Sequence, residues 1–365
     1  MDILTSISQL TKDNGAIKDL RDLLKREVFE LPAFEKFFTT VANAMQGEKI
    51  GWTGQMENVG WTASKTCNPN YRNLAQDFAE KTWDLGRWSV PGKWCADDFE
   101  NTIAAYALKQ GTDIADLQGT DIMDVIIYPA LQDALLKMYH RIVWFGDKSA
   151  TNVSGSGNIT NGVDPTLITP TDGLWKRIFA VAAANSAQRT TIAANAETTM
   201  AKQKSALNTE GATIALFEQM LADADSRIAG LPGAAVYCTD SLAKALSRDL
   251  RKVYKDNLSW EQIESGTEGV MLSGVRTTQF DGYTIISTDM WDRFIVEFEN
   301  DGTKLNLPHR AYYGSPSQLL VGTPANSVMS DLNIWYNEDE RVVKCYSEGK
   351  LGTMVGQDDL FQIAF

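Results

Sequence analysis

The sequence predicts a mixed α+β fold, and three features predict it. Residues Asp121 to Asp147, DIMDVIIYPALQDALLKMYHRIVWFGD, place apolar side chains at Val125, Ile126, Leu131, Leu135, Met138, Ile142 and Phe145. This is the three-to-four spacing of one helical face, sustained longer than anywhere else in the chain. Short runs of small and β-branched residues, GAAVYCT and DGYTIIST, read instead as strands. Helical and strand patterns do not alternate regularly, so a βαβ repeat is not the pattern.

Ile127, Ala134, Leu136, Val143 and Trp144 widen the stripe of the long helix, which predicts burial on most sides. Asp121 is placed to cap it and Asp124 lies in its first turn. Pro129 predicts a kink or a late start, and Gly146 a stop. Gln132, Asp133, Lys137, His140 and Arg141 interrupt the run, so it does not read as membrane-spanning.

Residues 1–46 read as an arm with two helical pieces. Ile17, Leu20, Leu23, Leu24 and Val28 form one apolar face; Pro32 ends it, and AFEKFFTTVANAM starts another. Residues 47–96 hold five of the ten Trp: Trp52, Trp61, Trp83, Trp88 and Trp94. From Gln76 the pattern alternates as in the strands of a long hairpin. Residues 97–120 read as a short helix and a turn, and 165–230 as mainly helical. DGLWKRIFAVAAANSAQ is one helix; RTTIAANAETTMAKQKSALN reads as a mobile excursion; TEGATIALFEQMLADADSRI is a second helix, with Ile214, Phe217, Met220 and Leu221 on one face. After the GAAVYCT strand, SLAKALSRDLRKVYKDN reads as a helix capped by its Ser. DGYTIIST and RFIVEFE read as strands, and LNIWYNEDERVVKCYSEGKLGTMVGQDDLFQIAF as a strand-rich meander.

A length of 365 residues suffices for two cores, and 44% hydrophobic with 22% charged residues argues against disorder. The net charge of −13 opposes broad gripping of nucleic acid, which needs a basic surface. Cys67, Cys95, Cys238 and Cys345 lie too far apart for a zinc or CxxC motif, and two His exclude a His-rich metal site. The cysteines read as reduced and structural. MDILTSISQLTKDNG lacks the basic and apolar regions of a signal peptide. GSGNITNG follows a helix with the wrong spacing for a dinucleotide fingerprint. The pairs Asp97-Asp98 and Asp358-Asp359 read as solvated carboxylates, and His140 as a helix histidine. No nucleophile, base and orienter set is present, so the sequence predicts no enzyme, no cofactor and no metal.

The order of the pieces resembles a known family. KTWDLGRWSVPGKWCADDFEN leads into the long helix ending WFGD; a small-residue loop follows, then an NG turn and DP at Asn161 to Pro165. AVYCTDSLAKALSRDLRKVYKDN and FDGYTIISTDMW come later. Over roughly Trp83 to Trp291 this layout resembles the major capsid protein of tailed bacteriophages, the Hong Kong 97 capsid fold shared with encapsulins. Gly146-Asp147 matches the family's GDG-like turn, whereas Ile285 stands at the usual Pro-like step, and residues 97–120 and the C-terminal meander depart from the minimal pattern. The resemblance implies an N-terminal arm at 1–46, an extended E-loop hairpin at 47–96, a P-domain at 97–165 with spine helix 121–147, an A-domain at 166–329, and C-terminal strands 330–365 returning to the P-domain. It implies self-assembly into hexamers and pentamers of an icosahedral head. That head encloses double-stranded DNA without sequence-specific binding, alongside scaffold, portal and auxiliary capsid proteins, in a virion assembled in the host cytoplasm and with no membrane. Some relatives crosslink a Lys to an Asn; neither is assigned here.

Subunit-interface candidates are Trp52, Trp61, Trp83 and Trp88 in the aromatic stretch, and His309 and Arg310 in LNLPHRAYYGSP. Three alternatives stand beside this reading: an encapsulin-type nanocompartment shell, a tail or adaptor component, and a carbohydrate-binding or hydrolytic enzyme using the Trp-rich 52–94 stretch.

Overall fold

A computed structural model describes residues 37–56, 76–95, 128–255, 258–264, 271–324, 333–337, 339–340 and 342–365. The helices expected over 17–28 and 97–120 and the Asp121 cap lie outside them.

The long helix, α1 (Tyr128–Phe145), has 18 residues and so extends about 27 Å. Pro129 falls in its first turn, where no intrahelical donor is needed. The Gly146 amide closes the far end on the Ile142 carbonyl at 3.1 Å. Leu135, Met138, Ile142 and Phe145 are buried as the period requires, but so are Tyr139, His140, Val143 and Trp144. Helix α1 packs against α2 (Leu174–Ala184) on one side and the long strand β13 (Val342–Val355) on another.

A seven-stranded mixed sheet divides the molecule into two cores. Its order is β5 (Arg189–Thr190), β14 (Gln362–Ala364), β10 (Ala311–Gly314), β6 (Ala235–Thr239), β9 (Tyr283–Thr288), β8 (Met271–Phe280) and β7 (Glu261–Glu264). All five residues of β6 are buried, because both sheet faces are covered. Side chains alternate across a strand, so Ala235 and Tyr237 join one core while Val236 and Cys238 join the other. Tyr312 of β10 follows the first set, and Ala311 and Tyr313 the second.

The first core is aromatic. Trp144 of α1 and Trp175 of α2 meet Trp291 of α6 (Asp289–Phe298), with ring centroids 4.7 Å (Trp144–Trp291) and 4.9 Å (Trp175–Trp291) apart. Tyr237 and Tyr312 stack beneath them at 5.0 Å, and Phe37 sets its ring edge-on to both Tyr237 and Trp291. The second core packs α4 (Ala212–Ala222) and α5 (Asp240–Val253) onto the opposite face.

Helix ends in this second layer are tied by neighbours. Ser241 does not cap α5: the carboxylate of Asp292, on α6, accepts from the amides of Asp240 (2.7 Å) and Ser241 (3.3 Å). Likewise Asp249 of α5 accepts from Gly211, Thr213 and Ile214 at the start of α4. Each satisfies the orphan donors of another helix and places negative charge at its positive end.

Three further local expectations fail. RFIVEFE is the end of α6, not a strand; Thr288 caps α6 through the Met290 amide, and Met290, Trp291, Phe294, Ile295 and Phe298 are its buried face. Its helical period shows only when Met290 and Trp291 are included. AFEKFFTTVANAM does not form a helix over its described part: it contains β1 (Thr39–Ala42), paired in parallel with β11 (Leu319–Thr323). RTTIAANAETTMAKQKSALN is docked by its side-chain amides. Asn195 grips both backbone groups of His309, donating to its carbonyl (2.7 Å) and accepting from its amide (3.0 Å). Gln203, on α3 (Met200–Ala206), does the same to Leu305 at 2.8 and 3.0 Å.

The remaining strands form a five-stranded sheet and a separate ribbon. The first part of β13 lies between β12 (Asn333–Asn337) and β4 (Gly86–Cys95), while its end pairs with β11. Among the described residues, strands β2 (Lys49–Met56) and β3 (Gln76–Thr82) pair only with each other.

Candidate subunit-contact surface

The β2–β3 ribbon stands apart because, among the described residues, neither strand pairs with a third. A two-stranded ribbon alone is marginal in water, so its anchorage matters. At its base the Trp83 amide donates to the Glu48 carbonyl (2.8 Å) and the Gly47 amide to the Trp83 carbonyl (3.0 Å). The Lys81 ammonium donates to the Val355 carbonyl at 3.0 Å and pairs with Asp358. Trp83, Ala44 and Met354 form a small buried cluster against which Ile50 and Trp52 pack.

Beyond that base the ribbon presents apolar surface. Phe78 is 75% exposed, and Met45, just before β2, is 69% exposed. Trp52, a sequence candidate, is half-buried; it shares an open groove of about 740 Å³ with Phe78, Arg227 and Leu360. Trp61 lies outside the described residues.

Four other candidates are core residues of the subunit. Trp83 and Trp88 are 1% and 5% exposed. Their indoles lie on glycines: a Cβ at Gly322 would sit 2.8 Å from the Trp83 ring, and one at Gly349 would sit 2.7 Å from Trp88. Each strand therefore needs glycine where an indole crosses it. Trp88 also meets Tyr139 of α1 edge-on at 5.2 Å. His309 and Arg310 are 4% and 1% exposed. Burial pushes the His309 imidazole down to about 4, so it is neutral near pH 7. The Arg310 guanidinium pairs with Glu299, donates to the carbonyls of Leu307 (2.7 Å) and Asn306 (2.9 Å), and lies 5.3–5.7 Å from the ring centres of Phe145, Trp175 and Phe179. A buried cation in this setting needs its partner and rings. Arg141 also turns inward: its Nε donates to the Leu167 carbonyl, and its guanidinium lies over Phe298.

A polar junction ties the ribbon's base to the end of α1. Lys148 pairs with Asp84, between β3 and β4, while the Lys176 ammonium lies 2.6 Å from Asp147 and 2.7 Å from Asp172. The hydrogen bond from Lys148 holds the Asp84 carboxyl below its usual range. Burial works against ionisation of Asp147 and Asp172, but the Lys176 ammonium and nearby donors outweigh it, so both also lie low.

Catalytic geometry is weak. Ser241 Oγ lies 3.1 Å from His309 Nδ1, but the amides that would stabilise an oxyanion there already bind Asp292, whose negative charge opposes one. Among the described residues no group of three or more His, Cys, Asp or Glu is placed to hold a metal. No helix among them is long and apolar enough to cross a membrane. Asp358 and Asp359 are ion-paired with Lys81 and Arg227 rather than solely solvated. Cys238 and Cys345 are buried free thiols.

No protein-family model matches the chain, and no curated protein matches it. Solved structures resemble it at low identity. The Microbacterium phage Oxtober96 structure is 14% identical with a TM-score of 0.48, covering 96% of this chain and 95% of that one. The capsid of a native GTA particle is 10% identical at 0.46, covering 96% and 99%. The satellite phage P4 procapsid, including the size determination (Sid) protein, is 10% identical at 0.45, covering 89% and 92%. At these identities and TM-scores the likenesses carry no argument of their own.

Proposed function

We propose that this chain is a major capsid protein of the Hong Kong 97 type. It is a structural, non-enzymatic subunit that self-assembles through hexamers and pentamers into an icosahedral head around double-stranded DNA. The observation that carries the reading is the β2–β3 ribbon: among the described residues it leaves Phe78 largely exposed, beside a body with two extensive buried cores. Isolated, such a ribbon is marginal; packed on neighbours in a closed lattice, each modest contact is multiplied. The sequence resemblance supports the same assignment, with the arm at 1–46, E-loop at 47–96, P-domain at 97–165, A-domain at 166–329 and returning strands at 330–365. The working location is the virion capsid, assembled in the host cytoplasm with scaffold, portal and auxiliary proteins. The acidic balance suits a shell that encloses DNA without gripping it.

Electron microscopy and mass photometry of the purified protein test this reading, with and without other virion components. Rings of five or six, or closed shells, are expected. A strictly monomeric protein under every condition overturns it; tubes point to a tail component, and shells filled with a co-purified enzyme and no genome point to an encapsulin.

A further inference from the structure

The net charge of −13 is not spread evenly over the chain. Helix α5 carries Lys244, Arg248, Arg251 and Lys252 at i, i+4, i+7 and i+8, the spacing of one helical face. Lys244, Arg251 and Lys252 are exposed and Arg248 is half-buried. The cationic surface continues onto α3. Lys204 lines one cleft together with Lys244 and Arg248, and the Lys252 ammonium donates to the Asn208 carbonyl, just past α3, at 2.9 Å. Placement in a last helical turn accounts for Lys204, Arg251 and Lys252 one helix at a time. It does not account for Arg248, or for two helices turning their cations to the same surface.

The acids packed around this surface are occupied or lie on other elements. Asp240, in the same cleft, pairs with Arg276 and Lys244. Asp292 accepts from the amides at the start of α5, and Asp249 from those at the start of α4. On α6, Glu297 pairs with Lys137 and Asp289 with Arg293. The exposed acids nearby are Glu210 before α4, Glu218 on α4 and Glu261 on β7. Among the described residues, none of these three is ion-paired with Lys204, Arg248, Arg251 or Lys252. We propose that these four cations contact the phosphate backbone of the double-stranded DNA inside the shell, which turns the α3–α5 surface towards the interior. From Lys244 to Lys252 the helix rises about 12 Å, a length over which duplex DNA carries about seven phosphates. Phosphate contacts carry no sequence information, and a few per subunit leave the acidic remainder of the chain free of the genome. The inference rests on the shell reading for the DNA it names, and adds which surface meets it.

The test measures binding of the full-length chain, as unassembled subunits, to a labelled mixed-sequence duplex of about 20 base pairs across a salt series. Lys204→Glu, Arg248→Glu and Arg251→Glu together should flatten the plot of log affinity against log salt by about 3 in slope, and weaken low-salt binding at least about tenfold. The same charge change on the exposed sheet face of β4 and β13, Arg87→Glu, Lys93→Glu and Lys350→Glu, should leave the slope within about 1 of the parent. A parent with no salt-dependent duplex binding, an unchanged slope in the α3–α5 variant, or an equal loss in the sheet variant overturns the contact. A parent that ignores the duplex but retains an acidic protein makes the stripe a protein contact and overturns it too. If the reversed chain folds poorly, Lys204→Gln, Arg248→Gln and Arg251→Gln decide, with flattening again expected. Where only closed shells are obtained, nuclease-protected DNA per subunit replaces the slope and should fall severalfold in the α3–α5 variant alone. Microscopy decides the shell reading separately: duplex binding without rings or shells overturns that reading, whereas shells without duplex binding overturn only the contact.

Discussion

The central sheet and the β2–β3 ribbon solve the same problem in opposite ways. Strands β6 and β10 bury every position, because helices cover both faces and aromatic or small side chains fill each side. The ribbon has strands of ordinary length but, among the described residues, no third strand pairs with it and Phe78 is left exposed. Strand pairing is common to both; what differs is whether the side chains find cover within the subunit. Changes in the sheet layer should therefore be read in subunit stability, and changes in the ribbon in association.

Arg310→Ala should have the largest effect on the subunit. It leaves Glu299 without its cation and opens space among Phe145, Trp175 and Phe179, so a loss of about 3–5 kcal/mol is expected. Insoluble protein or a much lower denaturation midpoint is the outcome to look for; an unaltered midpoint would return Arg310 to the list of surface contacts.

Asp292 sharpens the comparison through pH. Burial pushes its carboxyl up to about 6 from the ordinary aspartate value of 3.8. Between those values the folded state holds a proton that the unfolded chain has released, so stability falls as pH rises from about 4 to 6. The difference corresponds to roughly 3 kcal/mol. Asp292→Asn cannot titrate and should lose that component, which urea midpoints of parent and variant across pH 4–7 would expose. The depressed carboxyls of Asp84, Asp147 and Asp172 have the opposite sign: their contribution is present above the unfolded value and lost as pH falls below about 4. A parent-minus-variant profile separates the two.

Asn195→Ala removes both partners of the His309 backbone and should cost about 1–3 kcal/mol, since buried polar groups are left unsatisfied. Faster amide exchange around His309 would confirm that this clamp holds the segment down. Phe78→Asp should change subunit stability by less than about 0.5 kcal/mol, as exposed substitutions do, while abolishing assembly in mass photometry. Equal losses of stability and assembly would make the ribbon part of the ordinary core.

The amphipathic signals of α1, α2, α4 and α5 were legible because helical periodicity is local: Leu135, Met138, Ile142 and Phe145 repeat at a spacing the backbone imposes. The apolar run of β6 was legible for a similar reason, since two covered faces leave no polar alternation. Which aromatics are exposed was not legible. Trp83, Trp88 and Phe78 lie within eleven residues of one another, yet glycines at 322 and 349, more than 230 residues away, receive the two indoles, while among the described residues Phe78 stays exposed. The acidic flanks of Phe78 in an alternating strand were the only local hint. His309 and Arg310 likewise sit in a loop-like sequence, and their burial depends on Asn195, Glu299 and rings from two helices. Periodicity and composition determine which face of an element is apolar; contacts between residues far apart in the chain decide which of those faces the subunit covers and which it leaves for a neighbour.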